Sequence, residues 1–427
     1  MRTVLVTGPG GAGRTTLAAA TALAAARKGA RALLLTTESS APETVLGTSL
    51  GAEAATPIAP GLHARRIDPG DRFRQEFLAF QERAGAALDL LGAAPLDEDE
   101  LTELPGSEDF ALLQALRAEH ASDAWDTVVV DMPSAAETIR LLALPNQVRR
   151  YLRRLLPPER QAARALRPVL AQLAGVPMPA QKLYEAAERW ETELSAVQRV
   201  IDDPGTSVRL VTEAGPVATA NLRAIRAGLA LHGRRTDGVI VNRLLPTGSA
   251  DPFLAALSGS QQTALKGLRE EFPDVPVHEV AHLGRDPRGV DELDALIGGP
   301  AGGIGDTGEP GETGDNGEPG ETGDHGETGD HGRNGGTDGH RPDPWTVEDR
   351  LAADGLLVWR VPLPGAERRG LGLVRRGDEI VVTVGRFRRI RTLPSVLRRC
   401  TVSGAGLRDG VLEIRFSPDP DLWPKSD

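Results

Sequence analysis

Apolar runs alternate with helical stretches along the first 298 residues of the chain. The runs are short and rich in Val, Leu and Ile, which is typical of strands that are buried on both faces of a sheet. Since helical stretches separate these runs, the pattern predicts an α/β fold with a mostly parallel sheet covered by helices. The predicted strands are 3–7, 31–36, 126–131, 207–212 and 237–241.

An amphipathic helical region interrupts this alternation between residues 146 and 203. Its polar faces are rich in arginine, while Leu, Tyr, Trp and Val recur at the spacing of a stripe that faces a core. We therefore predict a helical insert that packs on the sheet. The alternative is an insert that covers a ligand or binds a partner.

Short alternating segments separated by turn sequences replace the helical pattern in residues 345–427. This spacing predicts a small antiparallel all-β sandwich domain. Within segment 386–394, four arginines partly alternate with Phe387 and Ile390, so we interpret them as the solvated face of an edge strand. These arginines are Arg386, Arg388, Arg389 and Arg391.

Glycine occupies every third position from residue 299 to residue 335. From 305 to 331 each triplet also carries Asp or Glu in second place, which gives a Gly-X-Y pattern like that of collagen. The segment holds only three prolines, however, and three parallel copies would align acids with no lysine partners. We therefore predict that residues 299–344 form an acidic linker that is disordered and extended by self-repulsion. A collagen-like trimer is the alternative.

The net charge of −11 is mostly a property of that linker. Nine acids and no basic residue lie between Asp306 and Asp330, and removing these nine charges leaves −2 on the rest of the chain. This balance argues against a nucleic-acid partner. A single cysteine, Cys400, excludes an intramolecular disulfide framework, and no apolar run is long enough for a transmembrane segment. Because the chain opens on a strand rather than on a leader sequence, we expect a cytoplasmic protein.

The segment after the first predicted strand indicates the chemistry. It reads GPGGAGRTT over residues 8–16 and precedes an Ala- and Leu-rich helix. In a P-loop, glycines let backbone N–H groups turn toward a phosphate at a helix N-terminus, and a Ser or Thr hydroxyl binds Mg²⁺. The sequence therefore predicts a P-loop NTPase fold. The predicted phosphate-binding residues are Gly8, Gly10, Gly11, Gly13, Arg14, Thr15 and Thr16.

Two further positions bear on catalysis. Arg14 stands where the motif requires lysine, and its planar fork needs a different geometry from a compact ammonium. We therefore expect phosphate binding to survive more readily than the positioning of a transition state. The strand 126–131 ends in Asp131, whose carboxylate would hold Mg²⁺ together with Thr15. The alternatives are a glycine-rich turn without a ligand and an aspartate that only caps the strand.

In these segments the chain resembles the arsenical-pump-driving ATPase family, the ArsA type, which includes the ATPase that targets tail-anchored membrane proteins. The P-loop, VVVDMPSAAETIRLLALP (128–145), the strand–helix step 211–233 and VIVNRLLP (239–246) carry the likeness in the family's order. The resemblance implies an ATP-binding, Mg²⁺-dependent ATPase in which Asn242 contacts adenine. It also implies a homodimer, or a heterodimer with a paralogue. Residues 345–427 resemble the small-heat-shock-protein-like sandwich that is appended to some bacterial members.

The departures from the family pattern concern catalysis. Pro9 stands where the family has a lysine that reaches the partner's phosphates, and Arg14 replaces the second lysine. Glu38 takes the place of the aspartate that positions the attacking water, and could serve with a longer side chain. Ala136 and Glu137 replace a glycine and a histidine and would crowd a γ-phosphate. The cysteines with which the family binds metalloids or zinc are absent from the sequence.

Three functions are compatible with this sequence. The first is a slow Mg²⁺-dependent ATPase that acts as a nucleotide-driven switch, with Glu38 and Arg14 as its catalytic residues. The second is a catalytically inactive nucleotide-binding scaffold. The third is a chaperone-like protein that holds a client protein. We favour the first because the phosphate-loop, metal and adenine positions are all retained.

Overall fold

The computed structural model describes most of the two predicted domains. No helix in the described ranges is both long enough and apolar enough to cross a bilayer. Residues 156–178 of the predicted helical insert and the predicted linker, except Pro344, lie outside those ranges. The described residues are 1–38, 40–68, 107–155, 179–298 and 344–423.

An eight-stranded sheet forms the centre of the first domain. The strands lie in the order β3-β4-β2-β5-β1-β6-β7-β8, and all neighbours pair in parallel except β3 with β4. The predicted α/β fold class is therefore confirmed. The strands are β1 (Arg2–Gly8), β2 (Ala32–Thr36), β3 (Thr56–Ala59), β4 (Leu62–Arg66), β5 (Thr127–Ser134), β6 (Thr206–Glu213), β7 (Thr236–Leu244) and β8 (Val277–Ala281).

All five predicted strands are present, but the sequence pattern does not indicate β3, β4 and β8. These strands are short, and β3 and β8 lie at the two edges of the sheet. Edge strands are less buried than central ones, so polar residues interrupt their apolar runs and weaken the pattern.

Helices cover both faces of the sheet. Val4 and Val6 of β1 belong to one hydrophobic cluster and Leu5 to the other, because successive side chains of a strand point to opposite faces. The helix after the loop is rich in alanine and largely buried, since small side chains let it lie close to the sheet. The helices are α1 (Arg14–Arg27), α2 (Ala41–Leu46), α3 (Ser107–Ser122), α4 (Ala135–Leu155), α5 (Pro179–Asp202), α6 (Pro216–Leu231), α7 (Pro252–Glu271) and α8 (Gly289–Ile297).

The described part of the predicted helical insert comprises the end of α4 and helix α5. Val197 and Ile201 of α5 are buried in the cluster that includes the sheet residues Val128 and Val208. The two helices also pack against each other. The described helices therefore pack on the sheet, as the amphipathic pattern predicts.

Residues 344–423 form the small all-β sandwich that the sequence predicts. One antiparallel sheet has the order β14-β15-β10-β9 and the other the order β11-β12-β13. Trp359, Ile380 and Phe416 are among the buried residues that fill the space between them. The elements are β9 (Thr346–Arg350), α9 (Leu351–Asp354), β10 (Leu356–Pro362), β11 (Leu371–Arg376), β12 (Glu379–Val384), β13 (Phe387–Thr392), α10 (Ser395–Arg398), β14 (Cys400–Arg408) and β15 (Val411–Pro418).

The arginines around β13 do not form a single solvated face, so that part of the prediction is wrong. The strand does lie at a sheet edge, and Arg388 is exposed. Arg389 and Arg391, however, are partly buried, and their guanidinium carbons lie 5.2 and 5.1 Å from the ring centroid of Trp345. Alternation places these two residues on the same side of the strand as the buried Phe387, whereas Arg388 points to the other side.

The sandwich packs against α4 and α6 of the first domain. Phe387 lies on Gly228 of α6, where a Cβ atom would be only 2.6 Å from the phenyl ring. Arg150 of α4 donates two hydrogen bonds to the Glu379 carboxylate, at 2.7 and 2.6 Å. One hydrophobic core therefore continues from the sheet into the sandwich.

His232 directly follows α6 and lies near this contact. Its ring is buried, and its pKa is lowered from 6.5 to about 3, first by burial and then by the charges of Arg389 and Arg234. Arg389 also donates to the Leu231 carbonyl oxygen at 2.7 Å. The ring therefore stays neutral in the folded protein between about pH 3 and pH 6.5, where the unfolded chain takes up a proton.

We predict that His232 makes the fold sensitive to acid. Because the folded pKa lies below the unfolded value, its stabilising effect is complete above pH 6.5 and is lost as the pH falls toward about 3. From about pH 7.5 to about pH 5, the free energy of unfolding should fall by about 2 kcal/mol more in the wild type than in His232→Asn. Urea unfolding at both pH values measures this difference. An equal loss in the two proteins would contradict the prediction.

Candidate functional site

Glycines shape the loop between β1 and α1. Gly11 and Gly13 have φ angles of 80° and 89°, in the left-handed region that favours glycine. Gly8 lies against β6, where a Cβ atom would be 2.0 Å from the Val211 carbonyl oxygen. A Cβ atom on Gly10 would meet nothing within 4 Å. Three of the four glycines are thus required by the backbone, and the loop leads to the N-terminus of α1, where N–H groups are free to bind an anion.

Asp131 lies near the carboxyl end of the central strand β5 and faces the start of α1. Its Oδ2 atom accepts hydrogen bonds from the hydroxyls of Thr15, at 2.8 Å, and Thr36, at 3.2 Å. Burial raises the pKa of the Asp131 carboxyl to about 6, although the Thr15 hydroxyl opposes this shift. The structure thus brings together the predicted metal ligands Thr15 and Asp131 and adds Thr36, which the sequence does not indicate.

Arg14 is the first residue of α1 and reaches the segment that follows Asp131. Its Nη1 atom donates to the Met132 carbonyl oxygen at 2.6 Å. The guanidinium charge also lowers the pKa of Asp131, against the larger effect of burial. Since a guanidinium group has five N–H donors, this bond leaves donors that an anion at the loop could use.

Glu38 and Thr16 lie at the rim of the loop. Glu38 is exposed just after β2, and its backbone N–H donates to the Thr36 hydroxyl at 3.1 Å. Its charge contributes to the raised pKa of Asp131. Thr16 is partly buried in the first turn of α1. The contact of Glu38 with an attacking water and the contact of Thr16 with a phosphate remain predictions.

Hydrogen bonds hold the end of β5 and the start of α4. The hydroxyls of Thr7 and Thr138 both donate to the Pro133 carbonyl oxygen, at 2.7 and 3.0 Å. Glu137 accepts from the N–H and the hydroxyl of Ser134, at 3.2 and 2.6 Å, and the hydroxyl is the main reason that its pKa is lowered. The spacing Ser-x-x-Glu is that of a capping box. The glutamate at this position therefore caps α4.

Asn242 contacts the loop from β7. Its Nδ2 atom donates to the Ala12 carbonyl oxygen at 2.9 Å, and its Oδ1 atom accepts from the N–H of Arg243 at 2.9 Å. The side chain lies so close to Gly13 that a Cβ atom there would be 2.4 Å from Nδ2. Asn242 thus braces the loop, and its contact with adenine stays a prediction.

Arg243 also contacts the loop, although the sequence pattern does not indicate a role for it. Its φ angle is 56°, in the left-handed region, which is uncommon for a residue other than glycine. Its Nη1 atom donates to the Gly11 carbonyl oxygen at 2.9 Å and to Glu213 at 2.8 Å, and its Nη2 atom donates to Asp286 at 3.3 Å. Its place at the carboxyl end of a parallel strand is the signal that could have indicated it.

These residues share one edge of the sheet. They lie at the carboxyl ends of β1, β2, β5, β6 and β7, which is where open α/β sheets bind ligands. The edge combines a loop at a helix N-terminus, two guanidinium groups and oxygen ligands around Asp131. This arrangement is suited to a phosphorylated ligand with a divalent cation.

Comparisons with known proteins match both domains. Residues 1–298 match a family model described as anion-transporting ATPase, and residues 354–416 match one described as an HSP20-like domain found in ArsA. A protein of Streptomyces coelicolor is 51% identical to this chain, and the match covers 100% of both. A protein of Mycobacterium tuberculosis is 29% identical, covering 99% of this chain and 97% of the relative. ATPase GET3 of Chaetomium globosum is 24% identical, covering 69% and 88%.

We predict that Gly13→Ala destabilises the protein and that Gly10→Ala does not. An alanine at position 13 would need a positive φ angle and would press against Asn242, so the free energy of unfolding should fall by about 1–3 kcal/mol. Position 10 has open space, so its substitution should change that energy by less than about 0.5 kcal/mol. Urea unfolding without nucleotide measures both. Equal effects would show that the loop is not held in the described conformation.

Proposed function

The chain belongs to the anion-transporting ATPase family, and on that premise we propose that it binds ATP with Mg²⁺ and hydrolyses it slowly as a nucleotide-driven switch. The observation that carries the proposal is the buried Asp131 carboxylate, which Thr15 and Thr36 hold beside the phosphate loop. Burial of a charged carboxylate lowers stability unless partners compensate. Its place beside such a loop therefore supports a metal–nucleotide site.

The groups around Asp131 fit Mg²⁺. They are one carboxylate and two hydroxyls, and Mg²⁺ prefers oxygen ligands, commonly one or two carboxylates together with water and phosphate oxygens. Thr15 and Asp131 would hold the cation, and Thr36 would keep the carboxylate oriented. Bound Mg²⁺ would neutralise charge on the β- and γ-phosphates.

The loop and two arginines would hold the phosphates. The loop N–H groups and the N-terminus of α1 provide donors, and Arg14 would add the charge that lysine supplies in the usual motif. Arg243 lies against the Gly11 carbonyl and is paired with Glu213 and Asp286. By exchanging one of these acids for a phosphate, it would bring a second positive charge to a loop in which Pro9 has none. For Asn242 to contact adenine, its amide would have to exchange its bond with Ala12 for one with the base.

Slow turnover follows from the groups that would face the γ-phosphate. Stabilisation of the transferred phosphoryl group by a positioned charge is worth several powers of ten in comparable enzymes. Here Pro9 provides no such charge, and Arg14 provides it with a different shape. Glu38 would orient the attacking water from the rim of the site, while the nearby Glu137 adds negative charge.

A catalytically inactive nucleotide-binding scaffold is the second candidate. It is favoured by the partners that two side chains already have, since Arg14 donates to Met132 and Glu137 accepts from Ser134. A protein with these bonds would still bind nucleotide but would not position it for transfer. The chaperone-like function stays a hypothesis based on the sequence.

We propose that a second copy, or a paralogue, completes the switch. Val217 at the start of α6 and Phe253 and Leu257 near the start of α7 are exposed. These helix starts follow the carboxyl ends of β6 and β7, so they lie at the edge of the sheet that carries the loop. Exposed apolar surface beside a functional site is typical of protein contacts. We expect this dimer to work in the cytoplasm.

We predict that Mg-ATP and Mg-ADP bind with micromolar dissociation constants in isothermal titration calorimetry. Asp131→Ala removes the carboxylate at the metal position and should weaken binding at least about 100-fold, or about 2.7 kcal/mol. The matched control is Asp126→Ala, since Asp126 pairs with Arg31 just before the other end of the same strand. The Asp126→Ala variant should bind Mg-ATP and Mg-ADP with the same affinity as the wild type. No binding at millimolar nucleotide would overturn the proposal.

We predict that the wild type releases phosphate slowly from Mg-ATP and that Arg14→Lys releases it at least about tenfold faster. The reason is that lysine restores a compact charge at the position that contacts the transferred group. Asp131→Asn should abolish turnover. If the wild type were no faster than Asp131→Asn and Arg14→Lys gained nothing, the protein would be the inactive scaffold.

A further inference from the structure

A cavity of about 880 Å³ lies between α4 and the sheet β11-β12-β13, and arginines dominate its lining. In the part of the chain that the structure describes, nine arginines but only two acids, Asp378 and Glu379, line it. We name this space the arginine cavity. The arginines that matter most are Arg150, Arg154, Arg376, Arg388, Arg389 and Arg391.

Neighbouring acids neutralise only part of this charge. Glu379 pairs with two arginines of α4, since its carboxylate lies 2.6 Å from Arg150 and 3.6 Å from Arg154. From outside the lining, Glu191 pairs with Arg149 and Arg153, and Asp202 pairs with Arg234. Arg376 and Arg388 are exposed, and neither forms an ion pair with any residue within the described ranges. Like charges in one cavity repel each other, so the arginine cavity favours the binding of an anion with several charges.

We propose that the arginine cavity binds a chain of carboxylates and that its occupant is the acidic repeat of this same protein, residues 305–331. Guanidinium groups bind carboxylates through two parallel hydrogen bonds, and arginines spread along a cavity can engage successive side chains. The repeat carries nine acids between Asp306 and Asp330 and no basic residue. Glycine at every third position also leaves room for the backbone to approach the cavity wall.

The position of Pro344 favours this occupant. Pro344 lines a smaller cavity of about 170 Å³ together with Arg389 and Arg391, and both arginines also line the arginine cavity. Only 13 residues separate Asp330 from Pro344. An extended chain of that length spans up to about 45 Å, so the acids can reach the cavity. A tethered ligand also acts at an effective concentration in the millimolar range.

The charge of the remaining chain favours a tethered segment over a nucleic acid. Without the nine acids of the repeat the chain carries −2, so it lacks the basic excess that attracts polyanions from solution. A segment of the same chain does not need this long-range attraction, because the covalent link keeps it near the cavity.

The test uses full-length chains without nucleotide, so failure of the ATP site would not affect it. In a neutralised variant, Asn and Gln replace the nine acids between Asp306 and Asp330. A fluorescein-labelled peptide of residues 305–331 is then titrated and followed by anisotropy. We expect at least about tenfold tighter binding to the neutralised variant than to the wild type, whose own repeat competes. Binding should weaken at least about tenfold when the salt concentration is raised to about 0.5 M.

Substitution of arginines locates the binding site. In the neutralised variant, Arg376→Gln with Arg388→Gln should weaken peptide binding at least about tenfold, because two charge-assisted contacts are lost. The matched control, Arg399→Gln with Arg408→Gln, removes two exposed arginines of the same sandwich that do not line the cavity, and it should leave the affinity unchanged. Equal losses in the two double variants would show only general charge attraction and would overturn the proposal.

Two other results would also overturn it. One is an absence of peptide binding, or equal binding to the wild type and the neutralised variant. The other is that inorganic polyphosphate or an oligothymidylate binds through Arg376 and Arg388, with the same affinity for the wild type and for the neutralised variant. That result would assign the cavity to a phosphate polymer from outside the protein.

Discussion

One buried carboxylate holds together the edge of the sheet that carries the phosphate-binding loop. Asp131 lies on the central strand of the sheet, and the two hydroxyls that reach it come from α1 and from β2. Its Oδ2 atom thereby links the three segments β5, α1 and β2 through hydrogen bonds, at the place where we propose a metal–phosphate site. Burial disfavours the charged form of this group, and two neutral donors offset that effect only in part, as the raised pKa shows. The protein thus keeps at its centre a carboxyl group that two hydroxyls and the charge of Arg14 compensate only in part.

The other polar groups of this edge are bound mainly to the backbone of the loop and of the end of β5. Asn242 holds the Ala12 carbonyl, Arg243 holds the Gly11 carbonyl and Arg14 holds the Met132 carbonyl. Such bonds preorganise the loop, because buried backbone groups need partners. They also mean that a ligand which recruits these side chains must compete with bonds that already exist. The same contacts therefore hold the loop in one conformation and set the bonds that a ligand would have to replace.

The sequence predicts local features well and contacts between distant segments poorly. The apolar runs locate the central strands, and the glycine spacing locates the loop before α1. The meeting of Thr15 with Asp131 is also predictable, because carboxyl ends of parallel strands share an edge. The contact of Arg243 with Gly11 is not, since it depends on a left-handed backbone angle and on residues 232 positions apart. Alternation along β13 shows that Arg389 and Arg391 share a side, but not that Trp345 lies against it.

The contact between Phe387 and Gly228 has a mechanical consequence. One partner in this contact is bare helix backbone, so no flexible side chain on α6 is available to absorb a displacement. The same glycine lies against Ile139 of α4, the helix that begins directly after β5. The sandwich is therefore seated on two helices whose starts lie at the edge of the sheet that carries the loop. A rotation of α4 or α6 would therefore carry the sandwich with it, because the contact has no side chain of α6 that could yield.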